Sequence, residues 1–155
     1  MYRISKEFHF SASHQLVHLP EGHQCARLHG HNYVVVVELT AAALDPSGFV
    51  MDYGLLDPFG DWIKAVVDHR HLNDVVAAYN HLSDPNEAAK LTTAENLARW
   101  FYESLAQWAW GETQMAIVPS AVTVKETAKT AAEYRTDHRV TRTIPFPPKD
   151  GNRHG

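Results

Sequence analysis

HNYVVVVELTA, residues 31–41, carries four successive valines and reads as a long, well-buried strand. Toward the N-terminus, YRISKEFHF (2–10) sets Ile4, Lys6, Phe8 and Phe10 on one side, the period-two pattern of a second strand. The stretch between them, residues 11–30, is polar and rich in histidine. It is too long for a hairpin turn, so a functional loop is expected there.

Toward the C-terminus, Asp45-Pro46-Ser47-Gly48 signals a turn. A helix is expected from near Tyr53 to about Asp68, because Leu55, Phe59, Trp62, Ile63, Val66 and Val67 recur at helical spacing. Pro58 falls in its first turns, where a missing amide matters least. Residues 73–91 mix alanines with Ser83-Asp84-Pro85-Asn86 and read as an extended loop. A second helix starts at a cap at Thr92 or Thr93 and runs to about Trp110. Leu97, Trp100, Phe101, Leu105 and Trp108 form its apolar stripe, with Gly111 as the stop. Strands over 121–127 and 132–143 follow, paired as a hairpin.

The order β-β-α-α-β-β gives an α+β fold: one four-stranded antiparallel sheet with two helices on one face. A single domain over 1–143 and a loose tail over 144–155, with three prolines and two glycines, account for the chain. Such a sheet keeps two open edges, which Val34–Val37 would make adhesive, and edge pairing into a closed oligomer removes that liability.

Composition narrows the function. A net charge of −4 argues against a general nucleic-acid binder, which shows a basic face, but leaves room for a phosphorylated small substrate. No apolar run is long enough to span a membrane. The N-terminus alternates and carries charge, unlike a signal peptide, so a cytoplasmic location is expected. One cysteine excludes an intrachain disulfide. Eleven histidines, bunched at 9–31 and 69–81, direct attention to metal.

His29-Gly30-His31 is the sharpest local feature. In an extended backbone residues i and i+2 share a face, so both imidazoles can meet one ion. His14, at the end of the first strand, is the natural third ligand, with His18 and His23 as rivals. Three neutral imidazoles suit Zn2+ and leave a fourth coordination position for water or substrate. Cys25 admits two readings: a fourth ligand closing a structural site, or a thiolate base beside the cation. Asp68-His69 supplies a carboxylate-oriented imidazole that would polarise such a thiol. His71 and His81 are read as exposed or capping residues. Glu126 shares the parity of Val122 and Val124; it is either a solvated glutamate near a strand end or a carboxylate on an apolar face matched by paired N–H donors, such as those of a purine or pterin edge.

Together, FHFSASHQL (8–16), CARLHGHNY (25–33), VDHRHLND (67–74), TTAENLARW (92–100) and VKETAKTAAEYR (124–135) resemble the 6-pyruvoyl-tetrahydropterin synthase and 6-carboxytetrahydropterin synthase family. The resemblance implies the tunnelling fold, with three subunits closing their sheets into a barrel and two trimers often stacking, and active sites at subunit interfaces. It implies zinc on His14, His29 and His31, a catalytic triad of Cys25, Asp68 and His69, pterin anchored by Glu126, and Thr92 and Thr93 lining the pterin pocket. The Cys-x3-His-Gly-His spacing resembles the bacterial 6-carboxytetrahydropterin synthases of queuosine and deazapurine biosynthesis. Their reaction takes 7,8-dihydroneopterin triphosphate to 6-carboxy-5,6,7,8-tetrahydropterin, acetaldehyde and triphosphate. The alternatives are the triphosphate-eliminating pyruvoyl synthase or a paralogue on a related pterin, and a non-catalytic zinc- and pterin-binding module. Gln15 stands where many members carry arginine, leaving Arg27, Arg70 and Lys125 as candidate cations for the triphosphate. The segment 76–91 is longer than in compact bacterial members, and Ala131 replaces an expected glycine.

Overall fold

The computed structural model describes residues 1–113 and 118–137. Strands β1 (Tyr2–His14) and β2 (His29–Ala41) pair antiparallel along their whole length, from Tyr2 opposite Ala41 to His14 opposite His29. Alternation sustains the ladder. Phe8, Phe10 and Ala12 on β1 and Tyr33, Val35, Val37 and Leu39 on β2 are buried, while their neighbours in sequence face the other side. The expected loop over 11–30 is therefore shorter, because both strands run into it.

Helix α1 (Asp57–Val66) follows a 3-10 turn over Tyr53–Leu56, whose start Asp52 caps by accepting from the Gly54 N–H at 2.8 Å. The chain then forms β3 (Arg70–His71), which runs parallel to β1 beside Ala12 and Ser13. Helices α2 (Leu72–Tyr79) and α3 (Pro85–Lys90) occupy the segment read as a loop. Leu72, Val75, Val76 and Tyr79 stand at helical spacing, and Asp84 caps α3 by accepting from the Asn86 N–H at 2.9 Å. Helix α4 (Ala94–Thr113) begins at Thr93, whose hydroxyl accepts from the Asn96 N–H, and it continues through Gly111. A single glycine lowers helix propensity without forbidding the helix.

Strands β4 (Ala121–Thr127) and β5 (Thr130–Arg135) complete the sheet in the order β3-β1-β2-β4-β5. The sheet thus has five strands among the described residues, one of them parallel, instead of four antiparallel ones. Two residues are too few to show a period, so β3 left no trace in the pattern. The expected extension of the last strand over 138–143 and the tail 144–155 lie outside the described residues. Val34–Val37 occupies the centre of the sheet and not an edge, since β4 pairs with β2 there. The longer free edges belong to β1, flanked by β3 only at Ala12–Ser13, and to β5.

Ile63, Val76, Ala88 and Leu97, one from each helix, join Phe8, Val35 and Val124 in one core, so four helices cover the face expected to carry two. Phe59 and Phe101 are fully buried there, each contributing about 1.5–3 kcal/mol relative to exposure. No described helix is long and apolar enough to cross a membrane.

Gly60 marks the closest approach of α1 to the sheet: a Cβ there would lie 2.8 and 2.9 Å from ring carbons of Phe8. Propensity alone would make Gly60→Ala stabilising by about 1 kcal/mol. The overlap with a buried ring costs about 1–3 kcal/mol. We expect Gly60→Ala to lose about 1 kcal/mol in urea unfolding; a more stable variant would show that α1 does not press on β1 this closely.

Candidate metal centre and active site

The register of β1 against β2 builds the centre. His14 stands opposite His29 and Ala12 opposite His31, so all three histidines emerge on the helix-covered face, at its end nearest the loop. Gly30 is required between them, because a Cβ would sit 3.0 Å from the carbonyl oxygen of Ala12 and push β1 away. The ring centroids are 4.5, 5.2 and 5.0 Å apart, and one nitrogen from each ring falls within 4.8 Å of the others. Among the described residues this is the cluster able to hold a metal ion; Cys25, His18 and His23 stand outside it.

Second partners fix the tautomers. The Nδ1 of His14 lies 2.9 Å from the Thr92 carbonyl and that of His29 lies 2.7 Å from the Arg27 carbonyl. Carbonyls only accept, so both Nδ1 atoms carry hydrogen and both rings turn Nε2 inward. The two Nε2 atoms are 3.0 Å apart. Burial lowers the pKa of His14 to about 4, against a smaller opposing effect of the Thr92 bond, so near neutrality its Nε2 is a bare lone pair. Burial, then His29, lowers that of His31 as well. A bare lone pair this close to a second Nε2 is relieved by a proton or a cation between them. Neutral imidazoles held by backbone carbonyls are the donor set a metal requires.

Glu126 joins the cluster through a bulge. Lys125 pairs with Ala131 but Thr127 with Thr130, which leaves Glu126 as the extra residue on β4. Bulges re-aim side chains, and here Glu126 Oε1 lies 3.8 Å from His14 Nε2. Its pKa is raised, first by burial and then by Glu95, with His29 opposing. Tyr33, two residues beyond His31, is fully buried, and among the described residues its hydroxyl has no hydrogen-bond partner. Burial, then Glu126, pushes its pKa upward.

The other expected site residues are distributed as follows. Thr92 is fully buried, with its hydroxyl donating to Ala89 O at 2.9 Å, so it acts on the centre through its carbonyl and does not line a pocket with its side chain. Thr93 is the cap of α4. Arg27 is exposed, and its carbonyl holds His29. Lys125 pairs with Val34 on the opposite face of the sheet, 3.9 Å from Glu7, away from the histidines. Cys25 sits half-buried in a 3-10 turn, Gln24–Ala26, with its carbonyl accepting from the Leu16 N–H at 2.9 Å.

Asp68 and His69 are together, Oδ1 to Nδ1 at 3.1 Å, but they are anchored elsewhere. Asp68 accepts from the Ser11 N–H at 2.9 Å, and the His69 N–H donates to Ser11 O at 2.6 Å. That first bond, ahead of His69, holds the Asp68 carboxyl below its usual range. His69 adopts φ 56°, rare for a residue with a side chain, and is strongly exposed, its side chain 82% accessible. It opens on a cavity of about 540 Å³ whose walls include Ser11, Ser13, Asn32, Arg70 and His71 together with His31 of the histidine cluster. Cys25 and the Asp68–His69 pair are thus held by different stretches of backbone, the first by Leu16 and the second by Ser11.

Sequence reasoning missed two braces. Gln15 donates its side-chain amide to Ala26 O at 2.8 Å, beside Cys25. Asn73 clamps the Gln15 backbone from both sides, accepting from its N–H at 3.0 Å and donating to its carbonyl at 2.7 Å. His71, read as exposed or capping, is half-buried with Nδ1 3.0 Å from Ser13 Oγ, and it stands at the N-cap of α2 without a side-chain bond to the helix. His81 is exposed just after α2.

Comparison with known proteins follows the same lines. The chain is 34% identical over 141 residues to a 6-carboxy-5,6,7,8-tetrahydropterin synthase of Synechocystis, covering 86% of this chain and 93% of the relative. It is 30% identical to the protein of that name from Aquifex aeolicus, covering 86% and 98%. The structure of Caenorhabditis elegans 6-pyruvoyl tetrahydropterin synthase superposes with a TM-score of 0.66 at 27% identity, over 87% of this chain and 95% of that one. The family model for 6-pyruvoyl tetrahydropterin synthase matches residues 3–137 and so takes in the histidine cluster, Cys25, the Asp68–His69 pair and Glu126; the chain belongs to that family.

Proposed function

We propose that this chain is a zinc-dependent carbon–carbon lyase that converts 7,8-dihydroneopterin triphosphate and water to 6-carboxy-5,6,7,8-tetrahydropterin, acetaldehyde and triphosphate. The observation that carries this reading is the trio His14, His29 and His31, three imidazoles whose ligand nitrogens lie within 4.8 Å of one another, with no fourth protein ligand among the described residues. Cys25 four residues before His29, and relatives named for the 6-carboxy product, favour this reaction over its neighbours in the family.

His14, His29 and His31 would hold the zinc, which when bound would supply Lewis acidity toward the substrate side chain. Glu126 accepts from the N–H edge of the pterin and so sets the ring against the cluster. Cys25, as thiolate, takes the proton from the side-chain carbon beside the ring, and the ring accepts the electrons. His69, oriented by Asp68, carries the second proton. Arg27 and Arg70 are the exposed cations available for the triphosphate. The different backbone anchors of Cys25 and His69 support a working site in which a neighbouring copy supplies one of them, at an interface of a trimer or stacked trimers. The exposed location of His69 supports this, as a general acid–base has no use for bulk solvent.

Zinc-loaded protein given 7,8-dihydroneopterin triphosphate should release acetaldehyde and triphosphate, identified by mass spectrometry. Triphosphate without acetaldehyde would instead select the pyruvoyl synthase reaction. No product, with zinc and pterin bound, would select the non-catalytic module. Cys25→Ala should keep about one zinc per chain by elemental analysis and lose turnover by roughly 100-fold or more, whereas His29→Ala should lose the metal. Loss of zinc from Cys25→Ala would show sulfur in the coordination sphere and end the proposed mechanism.

Mixing tests the shared site. Cys25→Ala and His69→Ala chains, each inactive, should regain part of the wild-type rate once their subunits exchange. No recovery despite exchange, followed by native mass spectrometry, would mean each chain builds its own triad.

A further inference from the structure

Tyr33 holds an oxygen that its surroundings do not explain. Its ring stacks on Phe10 at 4.8 Å and 9° and meets the edges of His14 and His31 at 6.0 and 5.4 Å, so packing alone fixes it. The residue is fully buried, and its hydroxyl has no hydrogen-bond partner among the described residues. A buried donor without an acceptor is costly, and phenylalanine would fill the same space without that cost.

The sheet register indicates the missing acceptor. Val34 and Lys125 form the last rung of the β2–β4 ladder, and Tyr33 and Glu126 are the next residues on their strands. Tyr33 lies on the face that carries the histidines, its ring 6.0 Å from that of His14, the residue Glu126 also approaches. Glu126 is short of donors too. The basic nitrogen nearest it, His14 Nε2 at 3.8 Å, carries no hydrogen when Nδ1 is bound to Thr92. Each group has what the other lacks.

We propose that Tyr33 is a positioning residue whose O–H donates to the Glu126 carboxylate in the working protein, holding one carboxylate oxygen so that the remaining lone pairs face the N–H edge of the ligand. The proposal deepens the functional reading above and rests on it for the identity of the ligand. Tyr33 touches no substrate in this role. It turns the bulged Glu126 side chain, otherwise free to rotate, into a pre-set acceptor.

A double-mutant cycle separates this from a packing role. Neopterin binding to zinc-loaded protein would be measured by calorimetry for wild type, Tyr33→Phe, Glu126→Ala and the double variant. Tyr33→Phe should weaken neopterin about 10-fold and have no further effect once Glu126 is gone, with zinc content unchanged. Equal losses in both backgrounds, or none in either, would overturn the proposal. Should wild type bind no neopterin, the functional reading fails, and the tyrosine bond is read directly. The Fermi doublet of Tyr33, from ultraviolet Raman spectra of wild type minus Tyr33→Phe, should report a donating phenol that becomes unbonded in Glu126→Ala. A doublet indifferent to Glu126 would refute it independently of any ligand.

Discussion

The antiparallel register between β1 and β2 is the constraint on which both core and site depend. Side chains alternate with a period of two, so a slip of β1 by one residue would turn His14 to the face opposite His29 and His31. What prevents the slip is hydrophobic. Phe8 and Phe10 would exchange core for solvent if β1 shifted, and Tyr33, Val35, Val37 and Leu39 if β2 did, at about 1.5–3 kcal/mol each. The core thus holds a metal-ready arrangement that the histidines alone would avoid.

The same burial prepares the chemistry. Taking His14 out of water disfavours its charged form, and the neutral ring is the form a metal binds. Carbonyls of Thr92 and Arg27 then decide which nitrogen faces inward. Both carbonyls belong to segments fixed for other reasons, the first ahead of the Thr93 cap of α4 and the second at the end of the turn bearing Cys25. The helix start and the cysteine turn are therefore coupled to the metal position through backbone atoms, which side-chain substitution does not remove.

Much of this was legible in the sequence, for definite reasons. The strand alternation, the parity of His29, His31 and Glu126, and the cap at Thr93 are local patterns, and local patterns survive into the fold. Strand β3 was not legible because two residues carry no period. Helices α2 and α3 were hidden behind Ser83-Asp84-Pro85-Asn86, although Leu72, Val75, Val76 and Tyr79 already showed helical spacing and Asp84-Pro85 a helix start. The bulge at Glu126 depends on how β5 returns, which no single strand reveals. Val34–Val37 looked like an edge hazard only because strand order is a tertiary fact. Likewise the backbone anchors of Cys25 and His69, at Leu16 and Ser11, are tertiary facts that neither local stretch reveals.

Gln15 shows how a departure from a family pattern becomes structure. Where arginine was expected as a cation for phosphate, the shorter, neutral side chain turns inward to hold Ala26 O. That bond braces the turn carrying Cys25, and Asn73 of α2 locks the Gln15 backbone in both directions. The helix that replaces an expected loop is thus tied to the residue that replaces an expected arginine. The two departures therefore meet in one place, where Asn73 holds Gln15 and Gln15 holds the turn that carries Cys25.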